Sequence, residues 1–179
     1  MNTKASYAAI GLMIASIALS IACMSTLAWV VDESGTTTLS IGLKKYKQES
    51  PRETLTGTLK ELQVRYPLAR KLADGGDSVL ACGIVSMVLI LISIIMVVIH
   101  VTGRPEYRLH VIAAILLFVS CMITCLGDVL YAQELNLGAS FILYTFNGPL
   151  SLSAACLLTY AIVSGGPSYV PRKATAGSV

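Results

Sequence analysis

DESGTTTLSIGLKKYKQESPRETLTGTLKELQVRYPLARKLADGGDS, residues 32–78, is the stretch on which the fold turns. Its 47 residues hold 8 of the chain's 13 Lys and Arg and 7 of its 10 Asp and Glu. On either side of it charge disappears. No charged residue occurs between Lys4 and Asp32, Asp77 and Arg104, Arg108 and Asp128, or Glu134 and Arg172. Each of these four blocks is near or above the roughly 18–20 residues of helix that cross about 30 Å of hydrocarbon. They predict an all-α membrane protein, a four-transmembrane-helix bundle with one large, partly structured loop of short β and helices between the first two spans.

Composition agrees. Of the 179 residues 55% are apolar and 13% charged, against about 45–50% and about 25% in soluble domains. The net charge of +3 does not point to nucleic acid, because the bases interleave with acids instead of clustering. The five cysteines (Cys23, Cys82, Cys121, Cys125, Cys156) all lie in the apolar runs, so no loop disulfide is expected, and intramembrane Cys reads as small apolar packing. The first apolar run far exceeds the 7–15 residues of a signal-peptide core.

In chain order, residues 1–6 precede a first span, 7–31. The loop, 32–78, follows, then a second span, 79–101, a short turn, 102–108, and a third span, 109–131. A small loop, 132–140, leads to a fourth span, 141–163, and a tail, 164–179. Gly11, Ala15, Ala18, Ala22 and Ser25 recur in steps of four and three, a ridge of small side chains along the first span. Its average step of 3.5 suits a long left-handed crossing. Two uses stay open for this ridge: packing inside the bundle, or an interface with a second copy. Trp29 stands at the outer end of the span, where an indole suits the headgroup boundary.

Within the loop, Gly35 is a turn residue and 36–43 (TTTLSIGL) alternates as a strand. From Pro51 the texture reads as helix, with Leu55, Leu59 and Leu62 at i, i+4 and i+7. A second short helix, 68–73, is expected to end before Gly75-Gly76. Apolar contacts of Leu55, Leu59 and Leu62 with Ile41, Leu43 and the region of Trp29 are expected to hold the loop together. Both termini fall on one side with Arg104 and Arg108 tight against the membrane, which places them in the cytosol and the loop outside. No Asn-x-Ser/Thr sequon is present.

Few residues offer chemistry. Asp128 is 20 residues, or about 30 Å of helix, from Arg108, which puts it near the outer headgroup layer. His100 and His110 flank the short turn, but only Glu106 could join them as a third ligand, so no metal site is expected. Asn147-Gly148-Pro149 predicts a kink in the fourth span, with Asn147 free to bond exposed backbone or another helix. No nucleophile–base set, phosphate loop or cofactor-binding constellation stands out, so an enzyme is not expected.

Four spans, a first outer loop of about fifty residues, a short inner turn and a small second loop resemble the layout of the claudin and peripheral-myelin-protein superfamily, which includes γ-type auxiliary subunits of channels and receptors. Trp29 followed by Gly42-Leu43 resembles that family's W…GLW opening, and Leu126 to Tyr131 is similar in texture to its third-span ending. Lys44 stands where the motif has a second Trp, and the two loop cysteines are absent. The resemblance implies a β-sheet through the second half of the loop, where the residues themselves read as helix. Gly177, two residues before Val179, stands where a PDZ ligand has Ser or Thr. It further implies a multi-pass plasma-membrane protein acting through protein contacts in the bilayer. The first reading is an auxiliary subunit or scaffold beside a channel or receptor in cis. A junction or adhesion component in trans is the second, and a small-molecule transporter or membrane enzyme the third.

Overall fold

The computed structural model describes residues 3–34, 36–59, 61, 67–102, 107–131 and 139–164. The elements are α1 (Thr3–Ser25), β1 (Val30–Ser34), β2 (Thr37–Ile41), β3 (Lys45–Glu49), β4 (Thr54–Thr58), α2 (Pro67–Thr102), α3 (Tyr107–Tyr131), α4 (Ala139–Thr145) and α5 (Asn147–Val163). Four helical segments, Thr3–Ser25, Asp74–Thr102, Tyr107–Tyr131 and Ala139–Val163, are long and apolar enough to cross a membrane. The chain is a mostly helical, multi-pass membrane protein carrying one small sheet.

The sheet is an antiparallel meander in the order β1-β2-β3-β4. Cross-strand register sorts its side chains by face. Val30 opposes Ile41, which opposes Tyr46 and then Gly57, whereas Ser40 opposes Lys47 and then Thr56. Opposed residues share a face, so one side is apolar and the other polar. The apolar side sits on the end of the bundle, where Trp29, Val30, Ile41, Leu43, Leu59, Val79, Tyr131, Phe141 and Tyr144 form one buried cluster. A second cluster fills the far half, with Met13, Ile90, Val97, Leu117 and Leu158 at its centre.

Several expectations change. The first helix ends at Ser25, not at 31, because Val30 and Val31 are drawn into the β-ladder. Trp29, just past the end of the first helix, is fully buried beneath the sheet. The stretch expected to be helical from Pro51 contains a strand, Thr54–Thr58, paired along its length with Lys45–Glu49. Here alternating β-branched residues and a waiting partner outweigh the leucine spacing. Gly75-Gly76 does not stop a helix, for α2 runs through it. Pro67 opens α2 at the position where a missing N–H costs nothing. The turn residue Gly35 lies outside the described residues.

In the fourth span the interruption falls at Phe146, upstream of the expected Gly148. Pro149 has no N–H to give the carbonyl four residues back, that of Thr145, and its ring crowds that carbonyl. Phe146 keeps helical dihedrals (φ −66°, ψ −15°), and its N–H tightens onto the Leu143 carbonyl at 3.3 Å. The outcome is a pinched turn between α4 and α5 and not a sharp corner.

Candidate functional site

The small-residue ridge faces away from the bundle. Gly11, Ala15, Ala18, Ala22 and Ser25 are all exposed, and a Cβ added at Gly11 would meet nothing within 4 Å. The packing face of α1 is a different stripe, Ser6, Ala9, Met13, Ser16, Ser20 and Cys23, which also advances in steps of three and four. Met13 is two positions beyond Gly11, about 200° around a helix of 3.6 residues per turn. The ridge is therefore opposite the core, and packing inside the bundle is not its use.

What the inner stripe does is polar. Ser16 Oγ donates to Asn147 Oδ1 at 3.1 Å, joining α1 to α5. Ser6 Oγ and His110 Nε2 are hydrogen-bonded at 3.2 Å, joining α1 to α3. Between α2 and α3, Ser86 Oγ lies 2.6 Å from Ser120 Oγ and 3.1 Å from Thr124 Oγ1. In lipid, where apolar contact between helices gains little, such bonds and close packing hold a bundle together. The sequence reading passed over these serines. Their three-and-four spacing in otherwise apolar helices is the signal that was there to use.

At the sheet end, Trp29 lies 5.4 Å from Tyr131, 5.3 Å from Tyr144 and 6.1 Å from Phe141, ring centre to ring centre. The backbone closes around it. Trp29 N–H donates to the Ile41 carbonyl at 3.0 Å, and Ser140 N–H to the Ala28 carbonyl at 3.0 Å. Gly42 is needed for this approach, because a Cβ there would lie 2.7 Å from the Thr26 carbonyl oxygen. Leu43 and Leu59 are buried in the same cluster, but Leu55 is 48% exposed on β4 and Leu62 lies outside the described residues. The three aromatic partners of Trp29 were missed, although all sit at span ends beside a connection on its side of the bundle.

Asp128 is half-buried, with Oδ1 enclosed and without a hydrogen-bond partner among the described residues. Pro149 is exposed and Asn147 buried. His100 and His110 meet edge to face, 4.1 Å between ring centres. Among the described residues, no group of three or more His, Cys, Asp or Glu could hold a metal ion.

Among the described residues, surfaces open to a protein partner include the outward ridge of α1 and the polar face of the sheet, with Lys45, Glu49, Thr54, Thr56 and Thr58 exposed on it. No protein-family model matches this chain, and no curated protein matches it.

Proposed function

We propose that this chain is a claudin-like four-span protein of the plasma membrane that docks laterally on a channel or receptor as an auxiliary subunit or scaffold. Both termini lie in the cytosol and the sheet lies outside the cell. The observation that carries the reading is the outward ridge of α1. Exposed small side chains over more than three turns leave a shallow track into which another helix can settle closely, and close contact is what drives helix association in lipid. The β-ladder through Thr58 is the arrangement that the resemblance implies for this half of the loop, which supports the family reading.

Affinity purification in mild detergent tests it, comparing the native chain with Gly11→Leu and Ala15→Leu. The native chain should carry a membrane protein that both variants lose, with their own thermal stability unchanged. A second copy of this chain as the only partner would make the ridge a homo-oligomer interface. Partners retained by both variants would sink the proposal. A junction or adhesion role in trans is the second reading, favoured by the polar sheet face turned away from the bundle. Binding between cells that both display the sheet, abolished by its removal, would favour that role.

A further inference from the structure

At the end of the bundle opposite the sheet, α3 and α5 enclose an open groove of about 470 Å³, within the roughly 300–1,000 Å³ of small-ligand sites. Its floor is low because Ala114, Ala155 and Cys156 are small, and its walls are high because Tyr107, Phe118 and Leu152 stand out from the helices. The Thr159 hydroxyl inside it is turned back onto the Ala155 carbonyl, 2.9 Å away. The trough therefore asks for hydrocarbon.

Its mouth asks for something else. Arg108 is exposed in the first turn of α3, beside Tyr107, and Lys4 is exposed at the start of α1 on the same end. Among the described residues, every Asp and Glu lies towards the sheet; even Asp128, on α3 itself, is 20 residues further along, about 30 Å away. A guanidinium above an apolar trough, with no carboxylate of the described residues at its end of the bundle, is complementary to a phosphate joined to an acyl chain. We infer that the α3–α5 groove binds one anionic glycerophospholipid, its chain along Ala114 and Ala155 and its phosphate on Arg108. Under the orientation proposed above, this is a lipid of the cytosolic leaflet. Neither the ridge of α1 nor the partner proposed for it is involved.

Native mass spectrometry tests the site with the purified chain in mild detergent, supplied with equal phosphatidylglycerol and phosphatidylcholine of the same chains. The native protein should retain one phosphatidylglycerol over phosphatidylcholine by about fivefold, the preference one juxtamembrane Arg supports. Arg108→Gln, at an exposed position, should bring that ratio to one while lipid still co-purifies. Thr159→Phe, and independently Cys156→Phe from the same helix, should lower retention of both lipids by filling the trough. Equal retention by the native chain, a preference surviving in Arg108→Gln, or undiminished lipid in both filling variants would overturn the inference. So would a dimer that forms in place of the lipid complex, since a second copy would then own the groove.

Discussion

The indole N–H of Trp29 donates to the carbonyl of Cys23 at 2.7 Å, tying the side chain at the heart of the sheet cluster to the last turn of α1. That carbonyl also accepts from Thr26 Oγ1 at 2.9 Å. It would remain satisfied without the indole, so the two ways of changing Trp29 separate. Trp29→Phe should cost about 2 kcal/mol, one net hydrogen bond and the void beside a smaller ring. Trp29→Ala should cost about 3–5 kcal/mol, the usual range for emptying a buried Trp site. Thermal unfolding in detergent measures both, and equal losses would show that the hydrogen bond, not the ring, matters.

Neighbouring glycines in α2 should respond with opposite sign. A Cβ at Gly76 would lie 2.5 Å from the Leu43 carbonyl oxygen, in backbone that cannot swing aside. At Gly75 the nearest atom is Tyr131 Cδ2, 3.5 Å away, an ordinary contact. Gly76→Ala should therefore destabilise by about 1–3 kcal/mol as an overpacked site does. Gly75→Ala should be neutral or stabilising by up to about 1 kcal/mol, since Ala is the better helix former. A tolerated Gly76→Ala would mean that the sheet does not rest on α2.

These glycines show where the sequence was legible and where it was not. The spans could be read because charge is excluded from hydrocarbon whatever the tertiary fold. The two stripes of α1 could not be told apart by spacing, since Gly11–Ala15–Ala18 and Ala9–Met13–Ser16 advance by the same steps. Only the bonding needs of Ser6 and Ser16 marked the inner one. Leu55 lies in β4, which ends at Thr58, and Leu59 just past it is already helical, so their four-residue spacing bridges two elements and does not mark one helix. Gly75-Gly76 looked like a break because close approach by Leu43, a residue more than thirty positions away, leaves no local trace.

Ser16 and Asn147 should show an asymmetry. Asn147 is buried, and its Nδ2 has no hydrogen-bond partner among the described residues. Ser16→Ala takes away the donor to Oδ1 and leaves a whole amide unpaired, which should cost about 1–2 kcal/mol. Asn147→Leu with Ser16→Ala removes the polar pair altogether and should recover most of that loss. Stability of the single and double variants in detergent decides it. A double variant weaker than the sum of its parts would show that the pair does more than bond to itself.

The last expectation concerns what holds the sheet to the bundle. All five cysteines are free, and the four strands contain none, so apolar contact must do what a disulfide would otherwise contribute, about 2–4 kcal/mol. Leu59 is the side chain placed to do it. It is 2% exposed in the cluster with Trp29, Ile41 and Leu43, and its N–H donates to the Lys44 carbonyl at 2.9 Å. Leu55, four residues earlier and 48% exposed, contributes little. Burial of one Leu is worth about 1.5–3 kcal/mol, and a carboxylate in its place would also lose its hydration. Leu59→Asp should release the sheet to protease while the four spans still insert on their own hydrophobicity. Leu55→Asp should leave cleavage unchanged, and reducing agent should alter neither. Sensitivity of the native sheet to reductant, or a Leu59→Asp chain as resistant as the native one, would show that some other contact fastens it.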